Sequence, residues 1–177
     1  MIFIPGWMIA LLTFPGVIVH EVAHRFFADL SETPVYEVCY FRIGGDPAGY
    51  VIHGPAKQLG DTFSICVGPL FLNTALCALI TFSAVPVFTV HPASVHWVFL
   101  LLLWLGLSIG MHAFPSNQDM QNYVQAVQIE TEGGALLWLA RAFAAIFRLA
   151  NALRVIWFDL LYALGVGMLL PWLLGVH

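Results

Sequence analysis

The sequence HEVAH, from His20 to His24, matches the HExxH pattern of zinc-dependent hydrolases. On a helix, residues four apart lie on one face, so His20 and His24 can bind one metal ion through their imidazole nitrogens. Glu21 then stands beside a metal-bound water and is a candidate general base. The pattern therefore predicts a catalytic site with one zinc ion per chain, at which a water molecule is activated for hydrolysis.

A catalytic zinc ion normally has three protein ligands and an open fourth position, so a third ligand must lie elsewhere in the chain. The HExxHxxGxxH layout is excluded, because Phe27 and Leu30 occupy its glycine and third histidine positions. The remaining candidates are carboxylates and histidines outside the motif: Asp119, Asp159, His53, His112, Asp46 and Glu37. Pattern alone modestly favours Asp119, because Pro115 breaks the preceding apolar segment and frees backbone to fold into a cavity.

Two of these histidines are also candidates for a supporting role. His112 lies seven residues before Asp119 and could hold a ligand in place by a hydrogen bond. His53 could face the site from a nearby loop. The alternatives are an ordinary core histidine at position 112 and an interfacial loop histidine at position 53.

The composition places this chemistry in a membrane. Hydrophobic residues make up 60% of the 177 residues and charged residues 9%, whereas about a quarter of the residues in soluble domains are charged. The six basic residues form no run and the formal net charge is -4, so nucleic acid is not an expected partner. Cys39, Cys66 and Cys77 show no CxxC spacing and are expected to be small buried hydrophobes.

Four apolar segments predict an α-helical integral membrane protein with about four transmembrane helices. They are Met1–Ala28, Lys57–Val85, Val95–Phe114 and Val155–Leu174. Pro86 and Pro115 are expected to end the second and third segments. Between the first and second, the runs 35–41 and 50–53 flank a turn-rich stretch and predict a small β-hairpin.

The remainder of the chain is predicted to lie along the membrane surface before the final span. A polar helix follows Asp119 and is expected to stop at Gly133 and Gly134. The segment 135–150 carries Arg141 and Arg148 on one face, which is typical of an interfacial helix. We therefore expect one membrane-embedded domain over 1–177, with its core in 1–120 and the interfacial helix and last span in 121–177.

The distribution of basic residues predicts the orientation. Arg25, Arg42 and Lys57 flank the predicted hairpin, and Arg141, Arg148 and Arg154 follow the third apolar segment, whereas the connection between the second and third segments has no Lys or Arg. By the positive-inside rule, the N-terminus lies outside and the hairpin lies in the cytoplasm.

Three stretches resemble motifs of the site-2 protease family of intramembrane zinc metalloproteases, and most closely its small bacterial and archaeal relatives. They are HEVAHRFFA, GPLFLN and FPSNQD, which together cover the chain from about Pro15 to Met120. The resemblance implies that His20, His24 and Asp119 bind zinc and that Glu21 is the base. It also implies that Asn73 contacts the substrate or the developing oxyanion, that the hairpin holds an unwound substrate by edge pairing, and that the protein lies in a prokaryotic cell membrane with its site open to the cytoplasm.

Three features depart from the family pattern. Three residues separate Pro69 from Asn73, where the family has two, which rotates Asn73 by about 100° on a regular helix. Met120 follows Asp119 in place of a glycine, and Pro115 stands four residues before Asp119 in place of two.

Two function classes are open. The first is an intramembrane zinc endopeptidase that cleaves a membrane-anchored protein or peptide. The second is a non-proteolytic zinc-bearing scaffold or partner subunit in the bilayer. Intact Glu21 favours the first, because a structural site needs the histidines but not the base. No regulatory domain is evident, which favours regulation by a membrane partner or by homo-oligomerisation. A diiron oxygenase would need several histidine boxes, and the sequence has one.

Overall fold

The computed structural model describes residues 5–89, 96–129, 135–153 and 156–174. The structure is mostly helical, with one small antiparallel sheet. In chain order the elements are α1 (Gly6–Leu12), α2 (Phe14–Leu30), β1 (Val35–Cys39), β2 (Tyr50–His53), α3 (Leu59–Thr89), α4 (His96–Met111), α5 (Asn117–Ile129), α6 (Ala135–Leu153) and α7 (Phe158–Leu173).

The first apolar segment is a bent pair of helices. α1 and α2 meet at Thr13 at an angle of 89°. Thr13 ends α1, since both its backbone N–H and its hydroxyl donate to the carbonyl of Ile9. Pro15 is the second residue of α2, a position where its missing N–H costs no helical hydrogen bond. The proline therefore begins the helix that carries the HExxH motif.

The predicted hairpin is confirmed. β1 and β2 are antiparallel, with Val35 opposite His53 and Cys39 opposite Tyr50, so β1 ends two residues earlier than the sequence indicated. The loop between them is closed by Arg42, whose backbone N–H donates to the Ala48 carbonyl and whose Nε donates to the Pro47 carbonyl. This loop brings residues 47–51 against the HExxH face of α2.

The long helix α3 forms the centre of the structure and packs against α2, α4, α5 and α7. The prediction that Pro86 ends this segment is wrong, because α3 continues to Thr89. The helix also contains a second proline, Pro69, without ending there. A proline removes one backbone donor, and a helix packed among others can lose that hydrogen bond without ending. α4, in contrast, ends at Met111, before Pro115.

Small residues allow the helices to approach closely. A methyl group added at Gly16 of α2 would lie 2.0 Å from the Ser108 carbonyl oxygen of α4, and one added at Gly110 would lie 2.6 Å from the Cys77 sulfur of α3. Such small-residue contacts are typical of helices packed in a membrane. Cys39, Cys66 and Cys77 are free. Cys66 and Cys77 are buried as expected, whereas Cys39 at the end of β1 is only partly buried, contrary to the prediction.

One helix within the described residues is long and apolar enough to cross a membrane, over the 26 residues Leu59–Ala84. Up to three spans result if the bent pairs α1–α2 and Leu137–Leu153 with Phe158–Leu173 each count as one. α4 is a shorter apolar helix of 16 residues. The count of four spans therefore stays a prediction, because by length and composition one helix of the described residues qualifies as a continuous span.

The second half of the chain packs onto the first through an apolar cluster. α6 buries Ala140, Ala144, Phe147 and Ala150 against α5, which contributes Tyr123 and other buried residues. The opposite face of α6 exposes large apolar side chains, including Trp138 and Leu149. The predicted helix is present and extends to Leu153, while Gly133, Gly134 and Arg154 lie outside the described residues.

Candidate metal centre

Three side chains from distant parts of the chain converge beside α2. His20 and His24 lie one turn apart on the same face, 7% and 5% exposed, with ring centroids 4.6 Å apart. Asp119, the third residue of α5, places its Oδ2 3.4 Å from Nε2 of His24 and 4.0 Å from Nε2 of His20. The three ligand atoms all lie within 4.8 Å of one another, so the group could hold a metal ion.

A backbone carbonyl orients each imidazole ring. Nδ1 of His20 donates to the His112 carbonyl at 2.6 Å, and Nδ1 of His24 donates to the Ile65 carbonyl at 2.8 Å. In the neutral rings the lone pairs are therefore on the two Nε2 atoms. These two atoms face each other at 3.0 Å, a distance at which two lone pairs repel. A cation between the two atoms, either a proton or a metal ion, would relieve this repulsion.

The donor set fits zinc. Two ligands about 2.0–2.1 Å from a tetrahedral zinc ion are about 3.3 Å from each other. Here the Nε2 atoms of His20 and His24 lie 3.0 Å apart, and Oδ2 of Asp119 lies 4.0 Å from the first and 3.4 Å from the second. Two imidazoles and one carboxylate are a common ligand set for catalytic zinc and leave its fourth position open. Asp119, His20 and His24 would be the residues that hold it.

Asp119 is held in place by the start of its own helix. Its Oδ2 accepts the backbone N–H of Ser116 at 2.7 Å, and its backbone N–H donates to the Ser116 hydroxyl at 3.2 Å. This reciprocal pair is a capping box at the N-terminus of α5. Burial raises the pKa of the Asp119 carboxyl, but the neighbouring His24 and His20 rings and the Ser116 hydrogen bond outweigh it, so the pKa lies below its ordinary value. The carboxylate is therefore the favoured form, as a metal ligand requires.

Glu21 lies beside the ligands and faces a cavity. Its side chain is 7% exposed and lines a cavity of about 250 Å³ together with the three candidate ligands. The hairpin loop covers it from the other side. A methyl group added at Gly49 would lie 2.7 Å from Cγ of Glu21, so the absence of a side chain at Gly49 leaves the space that the glutamate occupies.

A hydrogen-bond network holds the His112 carbonyl, which accepts the hydrogen bond from His20. Asn73 is fully buried, and its Nδ2 donates to the carbonyls of His112 at 3.0 Å and Ile109 at 3.3 Å. The His112 ring is bonded through Nε2 to the Thr13 hydroxyl at 2.8 Å. His112 follows the end of α4. Its ring contacts Thr13, where α1 and α2 meet, and its backbone carbonyl accepts the hydrogen bond from His20.

Through these contacts, Asn73 and His112 orient the His20 ring. Asn73 is not among the residues that line the cavity, and its described hydrogen bonds go to backbone carbonyls, so its predicted contact with substrate or oxyanion stays a prediction. Its Oδ1 is buried and has no hydrogen-bond partner among the described residues. His112 lines the cavity, and its backbone carbonyl accepts the hydrogen bond from Nδ1 of His20.

His53 also lines the cavity, from the end of β2, and its Nδ1 donates to the Gly54 carbonyl at 2.7 Å. The other candidates for the third ligand lie elsewhere. Glu37 is exposed on β1 and accepts a hydrogen bond from the Tyr50 hydroxyl, Asp46 is exposed in the hairpin loop, and Asp159 lies on α7. None of these three belongs to the group that could hold a metal ion within the described residues.

Sequence reasoning missed three features of the site: the capping box of Ser116, the cover formed by Gly49, and the amides of Gln118 and Asn122 that line the cavity. The first had a local signal, since SNQD places Ser and Asp three residues apart before an amphipathic run. The others depend on how the hairpin and α5 pack over α2.

No family model, curated protein or solved structure matches this chain.

Proposed function

We propose that this protein is an intramembrane zinc endopeptidase that hydrolyses a peptide bond in or near a membrane segment of an anchored protein. One observation carries the proposal: Asp119 lies with the two HExxH histidines in a group that could hold a metal ion, and Glu21 lines the same cavity. The three sequence stretches that resemble site-2 proteases include all four of these residues.

The roles of the residues follow from their positions. Bound zinc would supply a Lewis acid for the scissile carbonyl and a water molecule whose pKa is lowered towards neutrality. Glu21 accepts the proton of the attacking water and delivers it to the leaving amine nitrogen. The His112 and Ile65 carbonyls keep the two imidazoles in the tautomer that presents Nε2 to the metal.

The site lies near the polar end of α2, which suits hydrolysis at a membrane surface. Arg25 pairs with Asp29 at 2.7 Å in the last turns of α2, and Lys57 pairs with Glu32 at 2.8 Å just beyond it. These exposed charges follow the buried HExxH turn within a few residues, so water has a short route to the cavity. We place the protein in a cell membrane, with the N-terminus outside and the site open to the cytoplasm.

The alternative is a non-proteolytic protein in which the metal only stabilises the fold. A structural zinc site is normally closed by four protein ligands. Here three candidate ligands border a cavity, and a buried carboxylate that is not in the ligand group faces the same space. These features support the peptidase.

The proposal is tested on protein purified in detergent without chelators, as wild type, Glu21→Gln and Glu32→Gln. Elemental analysis should give one zinc ion per chain in all three. Wild type and Glu32→Gln, whose exposed carboxylate is outside the cavity, should cleave a reporter protein with one membrane segment. Glu21→Gln should be slower by about 10²–10⁴-fold, the usual contribution of a general base. Zinc without cleavage in wild type would support the scaffold, and absence of zinc would refute both.

A further inference from the structure

A second groove borders the cavity that contains the candidate metal centre. The first, here called the central cavity, contains the metal centre. The second, here called the outer groove, has a volume of about 650 Å³ and lies between α5 and the segment 53–59 that follows the hairpin. His53 and Asn122 line both spaces, so the two are adjacent and share a boundary.

One face of α5 forms a wall of both spaces. Gln118 and Asn122 line the central cavity, and Asn122, Gln125 and Ile129 line the outer groove. Spacings of four, three and four residues place these side chains on one stripe of the helix. At a rise of 1.5 Å per residue, the stripe from Gln118 to Gln125 is about 10 Å long, equal to about three residues of extended chain.

The chemistry of this stripe matches a polypeptide main chain. Nε2 of Gln118 donates to Oδ1 of Asn122 at 3.2 Å, which orders both amides and leaves the oxygen of one and the nitrogen of the other for an occupant. A side-chain amide both donates and accepts, as the main chain does. The cation on the opposite wall, Lys57, is paired with Glu32. The amides of Asn122 and Gln125 offer both donors and acceptors to an occupant of this groove.

We infer that an extended polypeptide occupies the central cavity and the outer groove in succession, with its main chain bound by the side chains of Gln118, Asn122 and Gln125. The inference rests on the proposed peptidase function and extends it. It assigns as substrate a membrane protein whose cleaved segment is joined to an extended flank. Because amides bind main-chain groups, the flank is recognised with little regard to its side chains.

The test measures binding in the Glu21→Gln background, so that it does not depend on turnover. The probes are two fluorescent peptides, one a single apolar membrane segment and the other the same segment followed by a Ser-, Gly- and Asn-rich extension. Gln125→Met removes an amide from the stripe and keeps the length of the side chain. Gln128→Met is the matched control, because Gln128 is exposed on the same helix and lines neither space.

The extended peptide should bind more tightly than the segment alone. Gln125→Met should weaken its binding about fivefold, the effect of one net hydrogen bond, with zinc content unchanged. Gln128→Met should leave binding unchanged. Equal affinity for the two peptides, or equal effects of the two substitutions, would overturn the inference. Extension-dependent binding through Gln125 in a protein whose wild type cleaves nothing would retain the inference and reject the peptidase.

Discussion

Oδ2 of Asp119 lies 3.4 Å from Nε2 of His24, so the start of α5 meets the HExxH helix at the point where a third ligand is needed. The same oxygen accepts the backbone N–H of Ser116. The carboxylate therefore serves the N-terminus of its own helix and the two histidines together.

Replacing Asp119 should remove the metal while keeping the helix cap. Asn can still accept the Ser116 N–H, so Asp119→Asn separates the two roles of this side chain. We expect zinc affinity to fall by more than the roughly 10–100-fold that is typical of residues supporting a ligand. Asp159→Asn, at the rival carboxylate on α7, should retain zinc. Elemental analysis of both proteins decides the third ligand, and zinc loss only in Asp159→Asn would contradict the assignment.

Asn73 should affect metal affinity although it touches no ligand. It donates to the His112 carbonyl, which in turn accepts from His20. Asn73→Leu keeps the approximate volume and removes the donor, so we expect zinc affinity to fall about 10–100-fold. Competition with a chelator of known affinity measures the change. As the control, Gln128→Leu alters an exposed amide of α5 that does not line the cavity and should leave zinc affinity unchanged.

A side chain at Gly49 should interfere with Glu21. The added Cβ of Gly49→Ala would lie 2.7 Å from Cγ of Glu21 and 2.9 Å from the Tyr40 carbonyl oxygen, so the loop or the glutamate must move. A displaced base lowers kcat, and we expect a loss of about tenfold or more with zinc retained. Gly60→Ala is the matched control, since nothing lies within 4 Å of its added Cβ. Equal activity of the two variants would show that the contact does not position Glu21.

Removal of the metal should abolish cleavage and lower thermal stability together. A ligand present at 100 times its dissociation constant stabilises the folded state by about 2.7 kcal/mol. Treatment with a chelator should therefore lower the Tm in detergent, and added zinc should restore both Tm and activity. Asp119→Asn should show no chelator-dependent shift. A chelator shift that persists in this variant would place the stabilising ion elsewhere.

The sequence by itself determined the local features of this protein. The spacing of His20 and His24 places them on one helix face, and the turn residues between 41 and 50 specify the hairpin. Each depends on interactions within a few residues of the chain. The apolar segments likewise follow from composition. Two details of these segments, the continuation of α3 past Pro86 and the position of the bend at Thr13, depend on the packing of neighbouring helices.

The tertiary structure alone decided which remote residues meet. The sequence left several candidates for the third ligand, and the packing of α5 onto α3 brings Asp119 to the histidines. The support of His20 by the His112 carbonyl depends on Asn73, a contact between α3 and the end of α4. Such contacts are set by the packing of whole helices, and pattern within any one segment carries no information about them.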